Sequence, residues 1–169
     1  MDWLGIIHTV TAGSALLFGP LVFFRRKGTR THRLLGYGYV VSMLLLNATA
    51  LMIYDLFDGF GVFHWAALVS LVTLASGIVP ALLRRPQRTW IVWHYMGMNW
   101  SYVGLCAAAA AEFLTRLPAF IPRVLDYVPG SFFWNAVGAG TFIICGTGWY
   151  LVNRRRPGFA LVQRMLDNN

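Results

Sequence analysis

Five long apolar runs, with the charge gathered in the connections between them, leave this chain few architectures. They lie at about residues 3–24, 34–54, 62–83, 89–114 and 132–152. At about 1.5 Å per helical residue, each is long enough to cross a hydrocarbon layer of about 30 Å. Inside such a layer backbone polar groups must find partners within the chain, which restricts spanning segments to helices or closed barrels. The runs are too long and too continuously apolar for barrel strands. Charged residues make up only 12 % of the chain, against about 25 % in soluble domains. The expected fold is therefore an all-α integral membrane protein of five transmembrane helices, forming a single membrane domain over residues 1–169.

The loops set the orientation. Arg25, Arg26, Lys27, Arg30 and Arg33 separate spans one and two, Arg84, Arg85 and Arg88 separate spans three and four, and Arg154, Arg155, Arg156 and Arg164 follow span five. The other side holds Asp2, Asp55, Asp58, Glu112 and Asp126, with Arg116 and Arg123 as its cations. Twelve basic residues against two is a positive-inside pattern. It predicts an outer N-terminus and a cytoplasmic C-terminus in a multi-pass protein of a bacterial cytoplasmic membrane. The net charge of +8 is thus a topological signal and excludes nucleic acid as a partner. The first apolar run has its basic cluster after it, unlike a signal peptide.

Short connections make consecutive spans antiparallel neighbours, so spans one to four are expected to form an up-down-up-down bundle. The connection 115–131 carries Pro118, Pro122 and Pro129 among apolar residues, and reads as a short interfacial helix or a lid on the outer face. Span five is rich in glycine, which suits tight packing against the bundle. The tail 153–169 reads as cytoplasmic, with a short amphipathic helix after Arg156. Cys106 and Cys145 lie inside apolar spans and read as small buried hydrophobes.

Each of the first four spans owns one histidine. His8 and His64 fall near the outer ends of spans one and three, and His32 and His94 near the inner ends of spans two and four. Ionisable groups at membrane depth are expensive and mark functional sites. In this bundle spans one and three are diagonal, as are two and four. Each pair therefore has the disposition of two axial imidazoles on one haem iron, in layers roughly 15–20 Å apart by helical rise. Small residues stand one turn beyond each ring: Ala12, Gly36, Ala67 and Gly97. Arg30 and Arg33 are the expected partners of the inner haem propionates. The inner pair meets only if the second helix begins before Thr31. A single zinc site needs three or four ligands at one depth, and each layer offers two histidines, with Asp55, Asp58 or Glu112 as recruits at the outer one.

The runs HTVTAGSALLFGP, KGTRTHRLLGYGYVVSM and HYMGMNWSYVGLCAAAAAE, spread over residues 4–116, resemble a family of predicted bacterial multi-spanning membrane proteins of unknown function. The resemblance rests on His8 with Gly19-Pro20, His32-Arg33 with Gly36-Tyr37, and His94 before Trp100-Ser101-Tyr102. Many relatives carry an HRxWM-type run where this chain has HYMGM, so no cation follows His94 here. The two histidine layers are, as an architecture, similar to those of di-haem transmembrane cytochromes b. That likeness implies two b-type haems, electron transfer with a quinone or another donor, and association with further membrane or redox subunits in the lipid bilayer. The same residues also suit a cofactor-free helical subunit packing against partner proteins, or a small transporter or proton relay using the histidines.

Overall fold

The computed structural model describes residues 3–54, 59–87, 89–120 and 131–155. Among the described residues are five α-helices: α1 (Trp3–Phe23), α2 (Arg30–Met52), α3 (Val62–Leu83), α4 (Trp90–Phe120) and α5 (Phe132–Arg154). No strand occurs among the described residues. By length and composition α1, α2 and α3 are apolar enough to cross a membrane. Their outward faces carry exposed Leu17, Val69 and Val72, which are suited to lipid and costly in water.

Two helix ends differ from the reading of apolar runs. Helix α2 begins at Arg30 rather than near residue 34, because Thr29 caps it: the Thr29 Oγ1 accepts from the His32 N–H at 3.2 Å. Hydropathy cannot see that polar first turn. Helix α4 continues to Phe120, six residues past the expected end and through Pro118. The rest of the expected interfacial helix or lid, the turn at 55–58 and the tail from Arg156 lie outside the described residues.

The chain divides into two compact units. In the first, α1 to α3 and α4 as far as Tyr102 run antiparallel in sequence. Phe18 near the end of α1 meets Gly38 near the start of α2, and His8 near the start of α1 meets Thr49 near the end of α2. Helices α3 and α4 cross at two glycines: a Cβ on Gly77 would lie 2.7 Å from the Met98 backbone nitrogen, and one on Gly97 would collide with the Gly77 backbone. A Cβ on Gly19 of α1 would run into the Tyr102 ring of α4. These approaches, with Tyr39, Met43, Leu46, Ala67 and Leu74 buried between them, close the ring of helices. In the second unit, the later part of α4 packs on α5. Gly148 sits against Val103 and Gly140 against Leu114, as expected for a glycine-rich span in a close helix pair.

Most of the buried polar side chains serve their own helix. Ser42 donates to the Gly38 carbonyl at 2.8 Å and Asn47 to that of Met43 at 2.7 Å. Thr11 donates to the Ile7 carbonyl at 2.8 Å. Such bonds let a hydroxyl or amide sit at membrane depth without a second helix.

Candidate functional site

The helices bring His32 and His94 together across the diagonal of the first unit. Their ring centres are 6.3 Å apart and the ring planes stand at 89°. The capped start of α2 puts His32 in its first turn, and His94 sits in the second turn of α4. A second diagonal contact lies deeper along the same two helices, where the Tyr39 hydroxyl and Ser101 Oγ meet at 3.0 Å. Both are buried.

The two rings are held differently. His94 Nδ1 lies 2.9 Å from the Gly77 carbonyl oxygen. A carbonyl only accepts, so Nδ1 carries the proton and Nε2 bears the lone pair. Metal-binding histidines are oriented in this way. The Gly77–Gly97 crossing creates the contact by bringing the α3 backbone within reach of α4. The His32 Nδ1, by contrast, is buried without a hydrogen-bond partner.

At the opposite end of the unit, His8 Nδ1 is 3.0 Å from Thr49 Oγ1. The Thr49 hydroxyl proton is directed to the carbonyls of Leu45 and Leu46 at 3.0 and 2.9 Å, so His8 Nδ1 is the donor in this contact. His64 is 2 % exposed. Its ring packs between Tyr54 and Phe60, with centres at 4.6 and 4.8 Å. Its Nδ1 accepts from the Gly61 N–H at 3.0 Å, and its Nε2 is buried without a partner. Among the described residues, His32 Nδ1 and His64 Nε2 are the buried side-chain nitrogens and oxygens that lack a hydrogen bond. Each end thus has one histidine anchored through Nδ1 and one with an orphaned nitrogen.

Those atoms test whether the residues suit haem. An ion about 2 Å from one nitrogen of each ring, with ring centres about 1 Å farther back, puts the centres roughly 6 Å apart. The His32–His94 pair has that separation and supplies two lone pairs. A Cβ on Gly36 would meet nothing within 4 Å. A cavity of about 30 Å³ is lined by Gly19, Val22, Phe23, Gly36, Tyr39, Met98 and Tyr102, and by neither histidine. Phe23 and Tyr102, edge to face at 5.3 Å, fill the space a flat ligand would take. Gly97, expected to clear a porphyrin edge, is instead occupied by the α3 crossing. At the other end, ligation through His64 Nε2 requires the ring to give up its bond to Gly61. The pair at the basic end has the better ring separation, but Phe23 and Tyr102 would have to move for a flat ligand to enter.

The cation at this pair is not one that the sequence pointed to. Arg30 and Arg33 are exposed, about 200° and 100° around the helix from His32 at roughly 100° per residue. Lys27 instead folds back over the end of α1, donating to the Val22 carbonyl at 2.9 Å and that of Phe23 at 3.3 Å. Its Nζ stands 5.7 Å from the Phe23 ring centre and acts electrostatically on both His32 and His94. Burial against the helix end pushes the Lys27 ammonium below the ordinary lysine value. Gly28, in the left-handed region at φ 79°, turns the chain from Lys27 into the Thr29 cap. Lysine five residues before a histidine is a weak signal, and only the turn converts it into proximity.

Among the described residues no group of three or more His, Cys, Asp or Glu side chains could hold a metal ion. Cys106 and Cys145 form no disulfide, and each is partly exposed. No curated protein and no solved structure matches the chain. Residues 5–130 match the family model described as "Predicted membrane protein (DUF2306)". The match covers most of α1, all of α2, α3 and α4, and with them all four histidines, so the chain belongs to this predicted membrane protein family of unknown function.

Proposed function

We propose that this protein is a b-type cytochrome of a bacterial cytoplasmic membrane. It passes electrons between a quinone or a cytoplasmic donor and an acceptor across the membrane, alone or as the membrane anchor of a larger redox complex. The observation that carries the reading is the His32–His94 pair, at 6.3 Å with a buried, unpartnered nitrogen on His32. Haem bound there would supply a one-electron couple. The chain's own part is to orient and to exclude water. Gly77 fixes the His94 tautomer, the Thr29 cap sets the depth of His32, and Phe23, Tyr39 and Tyr102 line the approach with aromatic rings. His8 and His64 form the second layer of the proposal.

A reduced-minus-oxidised absorbance spectrum of protein produced with haem available tests the reading. A sharp six-coordinate haem band that is lost in His94→Ala and His32→Ala supports it. Colourless protein under those conditions overturns it. The second reading, a proton relay, is favoured by the two orphaned imidazole nitrogens, one at each end of the unit. It predicts proton flux through vesicles that His32→Ala and His64→Ala abolish.

A further inference from the structure

We propose that the outward face of α2, headed by Arg30 and Arg33, is a docking surface for an anionic phospholipid of the leaflet around the basic end. Helical spacing sorts α2 into two faces. At roughly 100° per residue, Arg33, Leu34, Tyr37, Val41 and Leu45 fall within about 60° of Arg30, and all are exposed, as is Arg30. Tyr39, Met43 and Leu46, on the opposite side, are buried. The arginines therefore stand at the head of an apolar track. From Leu34 to Leu45 the track runs about 16 Å at 1.5 Å per residue. That is about half of a 30 Å hydrocarbon layer, the depth occupied by the acyl chains of one leaflet. The surface is turned away from His32, by about 200° at Arg30, and acts with or without haem.

Charge complementarity selects the headgroup. No Asp or Glu occurs in α1, α2, α3 or the connections 24–29 and 84–89. The exposed cations Arg25, Arg26, Arg30 and Arg33 thus have no carboxylate in these elements to neutralise them. Arg30 and Arg33 also stand in the first turn of α2, which holds no acidic residue. The positive end of the helix dipole disfavours cations there and favours an anion. Arg84, Arg154 and Arg155 stand instead at helix C-terminal ends, where the dipole offsets their charge. A phosphate between Arg30 and Arg33 accepts charge-assisted hydrogen bonds from both, while its acyl chains cover Leu34, Tyr37, Val41 and Leu45. A free anion suits only the first half of this surface, and an uncharged lipid only the second.

Native mass spectrometry of the purified full chain in mild detergent, titrated with phosphatidylglycerol or phosphatidylcholine, gives the readout. Phosphatidylglycerol should bind at least about tenfold more tightly than phosphatidylcholine, since each surface cation is worth roughly fivefold. Arg30→Gln with Arg33→Gln should remove that advantage and leave phosphatidylcholine unchanged. Arg154→Gln with Arg155→Gln should leave both lipids nearly unchanged. Should the Arg30→Gln, Arg33→Gln protein not fold, Arg33→Gln alone carries the same test, with a loss of roughly fivefold. Equal binding of the two lipids overturns the proposal, as does unchanged phosphatidylglycerol binding after loss of Arg30 and Arg33, or an equal loss in Arg154→Gln with Arg155→Gln. Displacement of the lipid by an equal concentration of inorganic phosphate overturns it too, because the surface then takes an anion without using its apolar track.

Discussion

His94 donates its Nδ1 proton to the carbonyl oxygen of Gly77, a residue with no side chain of its own to offer. The bond exists because Gly77 and Gly97 let two helix backbones touch, so a packing feature fixes the tautomer of a candidate ligand. The chemistry of the site and the closeness of the crossing are therefore not separable, and several measurable consequences arise from that dependence.

Enlarging the crossing should be costly. A methyl at Gly97 meets backbone, which cannot swing away as a side chain can. Overpacking of this kind costs about 1–3 kcal/mol. Gly97→Ala should lower the unfolding midpoint in detergent and disturb the His94 environment. Gly104→Ala, where a Cβ meets nothing within 4 Å, should be neutral or stabilising by up to about 1 kcal/mol through helix propensity. The contrast between the two is the check.

Removing the α2 cap should act on the site from a distance. Thr29→Ala loses the acceptor for the His32 N–H, at a cost of about 1 kcal/mol. The first turn should fray and His32 lose its depth. The expected result is a weakened haem band with helix content nearly unchanged by circular dichroism. Thr29→Ser, which keeps the oxygen, should retain both.

The Tyr39–Ser101 contact offers a coupling measurement. Both groups are buried, so deleting the Tyr39 hydroxyl takes this partner from Ser101, at a cost of about 1–3 kcal/mol. Tyr39→Phe and Ser101→Ala together should cost less than the sum of the two single changes, by roughly 0.5–3 kcal/mol in a double-mutant cycle. Additive values would show that the hydroxyls do not bond.

Stoichiometry distinguishes one haem layer from two. If both ends are loaded, haem per chain should halve in His8→Ala and His64→Ala, and also in His32→Ala and His94→Ala, with different spectral components lost. If only the basic end is loaded, His8→Ala and His64→Ala should leave the haem content unchanged. His64→Ala should still cost about 1–3 kcal/mol of stability, because the Gly61 N–H loses its acceptor.

The amino-acid sequence determined by itself the five long helices among the described residues, four of their five starting points to within a residue, and the sorting of the four histidines between two ends. Hydropathy and charge along the chain are properties of single positions, and lipid reads them that way. Only the tertiary structure decided that α2 starts one turn earlier, that Gly97 receives a helix rather than a ligand edge, and that Lys27, not Arg30 or Arg33, lies at the His32–His94 pair. Each of these depends on rotation about a helix axis, on a turn at Gly28, or on a carbonyl supplied by another helix. A residue shifted by one position moves about 100° around the helix, so the composition of a span says little about what its side chains meet.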